Sequence, residues 1–229
     1  MLIGGFQKLS LIDFPETISS IVFTAGCNFR CPYCHNPDLI NNYSGKLLSE
    51  PDILEILKNS KKMIDGVVIT GGEPTLQSDL PEFLTALRAI RFKIKLDTNG
   101  SNPKMVSDLL KNNLVDYVAM DIKAPKNKYI FISGENFKYE HFLESMEILR
   151  SSDISYEFRT TIYPNLFEIE DYFEIAKDLL PKEKYYLQDI RYEKTLGGIT
   201  KPDKVHSSEE VAGILKAALP HLSESIFSR

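Results

Sequence analysis

The chain has 229 residues, a formal net charge of −5 and 43% hydrophobic residues, which suits one domain with a large buried core. An acidic chain with no long basic run does not suit nucleic-acid binding, and no apolar stretch approaches the ~20 residues of a membrane helix. Met1 leads into Leu-Ile-Gly-Gly without a basic leader, and the few cysteines suit a reducing compartment, so we expect a cytoplasmic protein.

The first half of the chain alternates between predicted strands and helices after an N-terminal segment, residues 1–18, that reads as irregular up to Pro15. A β-branched run predicts a strand over 19–24. Ser49 is a suitable cap for a helix that has Pro51 and acidic residues in its first turn. Further strands are predicted at 66–70 and 92–97, and each is followed by a helix, at about 78–90 and 103–112.

The second half continues the same alternation. It contains predicted strands at 116–121, 155–162 and 185–190, with helices at about 139–150, 168–180 and from Ser207 or Ser208 to 219. A longer excursion, residues 123–134, separates the fourth strand from its helix. Six strand–helix units predict an α/β fold, a parallel sheet with outer helices, in a single domain over 1–229 whose repeating part is 19–220. Six units are two short of a closed eight-unit barrel.

All three cysteines of the chain lie on one loop, directly after the first predicted strand. Cys27, Cys31 and Cys34 have the spacing Cys-x3-Cys-x2-Cys. Thiolates are the usual ligands of iron–sulfur clusters, so these three suit three irons of a [4Fe–4S] cluster. The chain has no fourth thiol, which leaves one iron open to an external ligand.

Other interpretations of the cysteines stay open at this point. One alternative is a structural zinc ion bound by the three cysteines and His35. His35 directly follows Cys34, however, and two adjacent residues can hardly bind the same ion. Buried inert thiols have no reason to cluster on one loop. A disulfide with one odd thiol suits a secreted protein.

The cysteine loop resembles that of a known family. Cys-x3-Cys-x-aromatic-Cys, with Tyr33 as the aromatic residue, resembles the radical S-adenosylmethionine enzymes. Residues 27–36 and the N-terminal run 5–15 are similar to the activating proteins of anaerobic ribonucleoside-triphosphate reductase, relatives of pyruvate formate-lyase activating enzyme. The resemblance implies a partial (β/α)6 TIM-like barrel, S-adenosylmethionine on the open iron, and its one-electron cleavage to a 5′-deoxyadenosyl radical.

Polar and glycine residues follow the predicted strands at their carboxyl ends, where α/β enzymes place their sites. The sets are Gly71-Gly72-Glu73 after the second strand, Asp97 to Asn99 at the end of the third, Asp121 and Lys123 at the end of the fourth, Arg159 on the fifth and Gln188 on the sixth. Each also has a structural interpretation, since Gly-Gly and Asn-Gly are turn signals and a lysine beside an aspartate is an ordinary salt pair.

The resemblance assigns roles to these residues. It implies that Gly71, Gly72 and Glu73 receive the amino group of S-adenosylmethionine, and that Asp97, Asn99, Asp121 and Lys123 face its ribose and carboxylate. It also suggests a monovalent cation among Asp97, Thr98, Asp121 and the Met120 carbonyl, because hard cations prefer oxygen ligands. Tyr33 is expected against the cluster or the adenine. Independently of the resemblance, Arg159 and Gln188 lie on their predicted strands where inward side chains would reach the same mouth of the barrel.

The resemblance also implies a macromolecular substrate. The deoxyadenosyl radical would abstract hydrogen from a glycine of a glycyl-radical enzyme, anaerobic ribonucleotide reductase, with an electron donor such as flavodoxin or ferredoxin. Asp13-Phe14-Pro15 is similar to the segment that meets the partner's glycine loop, although Glu16 stands where the family pattern has glycine. Two alternatives remain: a radical enzyme acting on a small molecule or RNA, similar to 7-carboxy-7-deazaguanine synthase, and a zinc-binding or redox-sensing interaction protein.

Overall fold

The computed structural model describes residues 1–40, 45–134, 137–202 and 205–229. In these residues the strands are β1 (Ile3–Ser10), β2 (Ser19–Thr24), β3 (Gly66–Gly71), β4 (Lys93–Thr98), β5 (Tyr117–Asp121), β6 (Ser155–Thr161), β7 (Lys184–Gln188) and β8 (Ile226–Ser228). The α-helices are α1 (Glu50–Ser60), α2 (Leu80–Ala89), α3 (Pro103–Lys111), α4 (Tyr129–Ser133), α5 (Tyr139–Arg150), α6 (Ile169–Ala176) and α7 (Ser208–Ala218).

The described residues form two compact units. The first comprises Met1–Asn28, Asp38–Ala119 and Glu140–Ser155, and the second comprises Phe29–Pro37, Met120–Tyr139 and Tyr156–Arg229. The cysteine loop passes from the first unit to the second after Asn28, so Cys27 belongs to one unit and the other two cysteines to the next. The single domain expected over 1–229 stays a prediction.

The sheet of the first unit is parallel except at β1. Strand β1 pairs antiparallel with β2, and β2, β3 and β4 are parallel neighbours in continuous register. The register aligns Ile21, Val68 and Lys95 in one row across the three strands. Ile21 and Val68 are buried in an apolar cluster with Phe14, Tyr117 and Ala119, and burial of these side chains is the main stabilising contribution here.

The sheet of the second unit is formed by β6, β7 and β8, which are parallel neighbours. The end of β5 lies beside β6 in this unit, because the Ile122 amide donates to the Arg159 carbonyl at 2.8 Å. Phe158 and Tyr185, aligned between β6 and β7, are both fully buried. Asp121 and Gln188 are the last residues of β5 and β7, and Arg159 lies two residues before the end of β6.

Helix caps agree with the signals in the sequence. The Ser49 hydroxyl accepts from the Asp52 amide at the start of α1. Ser207 caps α7 in a reciprocal capping box with Glu210, and Asn102 caps α3. These side chains satisfy amide groups that have no partner inside the helix, which fixes where each helix begins.

Four element predictions were wrong or incomplete. The segment expected to be irregular contains β1, because edge pairing with β2 overrides the low strand propensity of Gly4 and Gly5. The excursion 123–134 contains α4, and β8 was not predicted at all. Helix α6 ends at Ala176 rather than near Leu180. The six strand–helix alternations and the α/β class with a parallel sheet are confirmed. Across the described ranges, no helix is long and apolar enough to cross a membrane.

Candidate functional site

The first cysteine follows the carboxyl end of β2 by a short, closely bonded turn. The Ala25 amide donates to the Leu2 carbonyl at 2.9 Å, and the Gly26 amide donates to the Leu39 carbonyl at 2.6 Å. Cys27, the next residue, is half-buried. The backbone before the thiol is thus anchored to both flanking segments of the first unit.

The loop after β3 packs directly on that backbone. The Gly72 amide donates to the Thr24 carbonyl at 2.9 Å, and the Glu73 amide donates to the Gly26 carbonyl at 2.8 Å. A β-carbon on Gly72 would lie 1.9 Å from the Gly26 oxygen, and Gly71 has a φ of +119°, which L-residues rarely adopt. Both glycines are required for this close approach, as expected for a loop that brings its backbone near a ligand.

The carboxylate of Glu73 is buried and accepts four hydrogen bonds from protein groups. Its Oε1 accepts from the Thr75 amide at 3.1 Å and from the hydroxyls of Thr75 at 2.5 Å and Thr98 at 2.7 Å. Its Oε2 accepts from the Asn99 amide at 2.7 Å. Burial raises the pKa of Glu73, and these donors oppose the rise. Sequence reasoning missed Thr75 as a partner; a hydroxyl two residues after a buried glutamate was the available signal.

The loop after β4 reaches the cysteine loop through paired amides. Asn99 Nδ2 donates to Asn28 Oδ1 at 3.0 Å, and Asn28 Nδ2 donates to the Ser101 hydroxyl at 2.8 Å. Asn99 is buried, whereas Asn28 is exposed. The first unit therefore brings the loop of Cys27 together with Gly72, Glu73 and Asn99.

The second unit holds the other two cysteines. Cys31 is buried and Cys34 half-buried, and the Cys34 amide donates to the Cys31 carbonyl at 3.0 Å, closing a turn. Tyr33 is buried between them, and its hydroxyl donates to the Lys123 carbonyl at 2.9 Å. Burial, followed by the nearby Cys31 and Asp121, raises the pKa of Tyr33 well above its usual value. The centroids of the Tyr33 and Tyr163 rings are 5.1 Å apart, so Tyr33 contributes to the core. Its contact with the cofactor stays a prediction.

Asp121 lies between two basic side chains in the second unit. Lys123 Nζ donates to Asp121 Oδ2 at 2.9 Å, and Arg159 Nε donates to Asp121 Oδ1 at 2.7 Å. Burial alone would raise the pKa of Asp121, but Arg159 and Lys123 outweigh it and lower the pKa to about 2. The pKa of Lys123 is raised, because the attraction of Asp121 exceeds the opposing effect of burial. The group carries one negative and two positive charges.

A turn formed by residues 195–198 packs on the cysteine loop of the second unit. The Leu196 amide donates to the Cys34 carbonyl at 3.1 Å, and the Gly197 amide donates to the Pro32 carbonyl at 2.8 Å. A β-carbon on Gly197 would lie 3.1 to 3.3 Å from three atoms of Pro32. Partial burial, with Arg191 and Lys123, lowers the pKa of His35, which favours its neutral form. Sequence reasoning missed this turn, whose Gly197-Gly198 pair was the signal.

The remaining predicted residues lie at less informative places. Gln188 ends β7, and its carbonyl accepts from the Ile162 amide at 2.8 Å. Asp13 is half-buried and accepts from the Ser10 hydroxyl in the turn after β1. Glu16 has a φ of 55°, a left-handed conformation that explains why glycine suits this position in the family pattern.

The donor set fits an iron–sulfur cluster. All three cysteines, each within the described part of the chain, are thiols outside any disulfide. Among the described residues no three Cys, His, Asp or Glu side chains converge on one metal ion. A cluster takes each thiolate on a different iron, so its ligands do not have to meet at one point. Single-ion zinc coordination by Cys27, Cys31, Cys34 and His35 does require that convergence.

Comparison with known proteins gives the same family. A sequence profile of the Radical SAM superfamily matches residues 21–180. The chain is 36% identical over 196 residues to MJ1227 of Methanocaldococcus jannaschii, provisionally named a glycyl-radical enzyme activating enzyme, covering 82% of this chain and 80% of that protein. It is 27% identical over 239 residues to the pyruvate formate-lyase 1-activating enzyme of Escherichia coli K12, covering 93% and 94%.

A solved structure supports the fold alone. Streptococcus suis SuiB bound to its precursor peptide SuiA matches with a TM-score of 0.71 and 15% sequence identity over 91% of this chain. The chain spans about half of SuiB, 48% of its length. The likeness agrees with the α/β class predicted from the alternation of strands and helices.

Proposed function

Because the chain belongs to the radical S-adenosylmethionine superfamily, we propose that it is an activase that generates a glycyl radical on a partner enzyme, anaerobic ribonucleoside-triphosphate reductase. One observation carries the enzymatic part of this proposal. The Gly71-Gly72-Glu73 loop is bonded to the backbone beside Cys27 with clearance for glycine only. This contact supports the proposal because it places the loop assigned to the cofactor's amino group beside the first cluster thiol.

Cys27, Cys31 and Cys34 would hold the [4Fe–4S] cluster through three of its irons. With S-adenosylmethionine bound, the reduced cluster would supply one electron to break the sulfonium C5′–S bond, which would leave methionine and the 5′-deoxyadenosyl radical. The protein positions the loop: the first unit anchors the backbone before Cys27, and amides of the turn 195–198 donate to the carbonyls of Pro32 and Cys34. Fixed ligands and a fixed target geometry are the protein's contribution to such chemistry.

We assign each polar group of S-adenosylmethionine to different residues at the strand ends. We assign the amino group to the Gly71-Gly72 backbone and to Glu73, which also joins this loop to the loop after β4 through Asn99. Lys123 is a suitable cation for the cofactor carboxylate, since its ammonium is held by Asp121, which Arg159 holds in turn. Asp97 and Asn99 face the ribose, with Gln188 and Tyr33 as further contacts.

A protein substrate is favoured by the exposed N-terminal turn. Leu9, Leu11 and Ile12 are 48%, 68% and 80% exposed, next to Asp13. Large apolar side chains that cluster at one exposed turn are typical of an interaction site. We therefore assign this turn, residues 9–13, to the partner enzyme, in agreement with the family resemblance of Asp13-Phe14-Pro15.

The proposal has three further parts, which concern the electron donor, the cellular location and a bound cation. The chain contains only three cysteines, enough for one cluster, so the electron has to come from a separate donor such as flavodoxin or ferredoxin. A cytoplasmic location stays a prediction. The monovalent cation expected at Asp97 and Asp121 would compete with the basic partners that both aspartates already have.

The test separates partner docking from radical chemistry. Ile12→Ser and Leu11→Ser should lower glycyl-radical formation on the partner at least about tenfold, while cleavage of S-adenosylmethionine without partner stays unchanged. Met63→Ser, which changes a 74% exposed side chain elsewhere in the first unit, is the matched control. If the turn variants activate the partner as well as the control does, the docking assignment is wrong.

The rival with a small-molecule or RNA substrate keeps the same cluster. It predicts that 5′-deoxyadenosine forms without any glycyl radical on a partner. The zinc rival predicts colourless protein with stoichiometric zinc, whereas the proposed function predicts about four irons per chain after anaerobic reconstitution.

A further inference from the structure

Lys95 is a buried lysine in the first unit, and the proposed cofactor contacts do not use it. Its side chain is 1% exposed, and it lies in the middle of β4. The parallel register aligns it with Val68 and Ile21, and aligned residues of neighbouring strands project to the same side of a sheet. Both neighbours belong to the apolar cluster of this unit, and the lysine ammonium is withdrawn from water. Such a charge is costly unless it is paired.

The partner of Lys95 is the aspartate at the end of the same strand. Lys95 Nζ donates to Asp97 Oδ1 at 2.5 Å, and Asp97 is 14% exposed. Residues two apart on a strand lie on the same face, so the long lysine side chain extends along the strand to reach the carboxylate. Asp97 is the second-last residue of β4, and Asn99, which follows this strand, contacts Glu73 and Asn28.

Stability alone is a weak reason for this pair. A buried ion pair often contributes no more to stability than apolar side chains of similar size, because both charges lose their hydration. A methionine in the row of Ile21 and Val68 would fill the space and require no partner. The arrangement is explained if Asp97 has to be a carboxylate and a positive charge has to accompany it.

We propose that the Lys95 ammonium is a built-in cation for Asp97 and takes the place of a bound monovalent ion, so that binding of S-adenosylmethionine requires neither K⁺ nor Na⁺. This inference rests on the proposed function, because it assigns Asp97 to the cofactor. The second aspartate considered for such an ion has protein cations as well. In its own unit Asp121 accepts from Lys123 and Arg159 at 2.9 and 2.7 Å.

The experiment measures equilibrium binding of S-adenosylmethionine to the reconstituted protein under anaerobic conditions. Binding is compared in KCl, NaCl and choline chloride at equal ionic strength, because choline is too large to replace K⁺ at a carboxylate. For the wild type we expect the three dissociation constants to agree within about twofold. Lys95→Met should weaken binding about tenfold or more in choline chloride, and K⁺ or NH₄⁺ should restore part of the loss.

Lys93→Met is the matched control, since Lys93 is exposed on the same strand. It should bind like the wild type in every salt. Iron content and thermal unfolding identify any variant that is misfolded. If Lys95→Met is misfolded, the comparison of wild-type binding in the three salts still tests the inference. A purely structural ion pair predicts that surviving Lys95→Met protein shows no response to K⁺.

Besides that lack of response, two results overturn the inference: wild-type binding that strengthens several-fold in K⁺ or Na⁺ over choline, or Lys95→Met protein that binds like the wild type in choline. Wild-type protein that binds no S-adenosylmethionine in any salt would instead refute the proposed function, and this inference with it.

Discussion

The carbonyl oxygen of Gly26 lies 1.9 Å from the point where a β-carbon of residue 72 would stand. Both partners are backbone, and the Glu73 amide bonds to the same oxygen at 2.8 Å, so neither side has room to yield. The loop after β3 thus lies against the residue before Cys27 only because residue 72 is glycine. This contact joins the predicted amino-group loop to the predicted cluster loop.

Gly72→Ala should separate these two loops. We expect a loss of at least about 2 kcal/mol in the free energy of unfolding, from overpacking, together with lower iron content after reconstitution. Gly213→Ala is the control, because that glycine lies in α7 with no atom within 4 Å of an added β-carbon. The control should stabilise the helix by up to about 1 kcal/mol. Urea unfolding and iron analysis measure both, and a Gly72→Ala protein with wild-type stability and iron would contradict the packing.

Glu73→Gln should destabilise the folded protein even when no ligand is bound. The amide nitrogen of glutamine would face donors at Thr75, Thr98 or Asn99, which leaves buried groups unpaired. We expect a cost of about 1–3 kcal/mol in the free energy of unfolding, measured by urea titration. Glu55→Gln, at an exposed position in α1, should change stability by no more than about 0.5 kcal/mol. A variant as stable as the wild type that no longer binds S-adenosylmethionine would show that the carboxylate serves the cofactor only.

Asp121→Asn should reveal a pH-dependent contribution at the acid end. The folded pKa of Asp121 is lowered from 3.8 to about 2, so its contribution is fully present above the unfolded pKa and is lost as the pH falls through the folded pKa. The stability difference between wild type and Asp121→Asn should be constant above about pH 5, on the order of 2 kcal/mol, and decrease from pH 4 to pH 2.

The matched control is Asp108→Asn, which removes an exposed ion pair with Lys104. Its effect on the free energy of unfolding should not exceed about 0.5 kcal/mol at any pH. A difference for Asp121→Asn that stays flat down to pH 2 would mean that Arg159 and Lys123 do not hold the carboxylate as described.

Glu16→Gly should stabilise the protein slightly. Glu16 is exposed and has a φ of 55°, so the glutamate carries left-handed strain that glycine avoids. After the entropic cost of glycine, we expect a gain of about 0.5 kcal/mol in thermal or urea unfolding. The same change at Glu55, inside α1, should cost about 1 kcal/mol. A loss of stability at position 16 would show that the turn does not strain its residue.

Local signals in the sequence were sufficient for most elements. Caps at Ser49 and Ser207 and apolar runs such as residues 66–70 predicted helix and strand positions to within a few residues. Strands β1 and β8 were not predicted, because an edge strand depends on the neighbour with which it pairs rather than on its own composition.

The sequence was sufficient to predict which loops form the candidate site, but not the hydrogen bonds between them. The motif and the strand ends indicated Cys27, Glu73 and Asp97, because their positions follow from the alternation of elements. The internal partners of Glu73 were not visible, since they depend on how two loops meet. Lys95 was missed because the alternation in Lys93-Ile94-Lys95-Leu96 is typical of an exposed polar face, and only the three-stranded row reveals its burial.

The most direct measurement is the electron paramagnetic resonance spectrum of anaerobic ribonucleotide reductase from the same cell. The reductase is incubated anaerobically with the reconstituted protein, a reductant and S-adenosylmethionine. We predict a doublet glycyl-radical signal with formation of 5′-deoxyadenosine, and neither product when Cys27, Cys31 or Cys34 is replaced by alanine. Deoxyadenosine formed without a glycyl radical on any glycyl-radical enzyme of that cell would contradict the activase function and favour a small-molecule or RNA substrate.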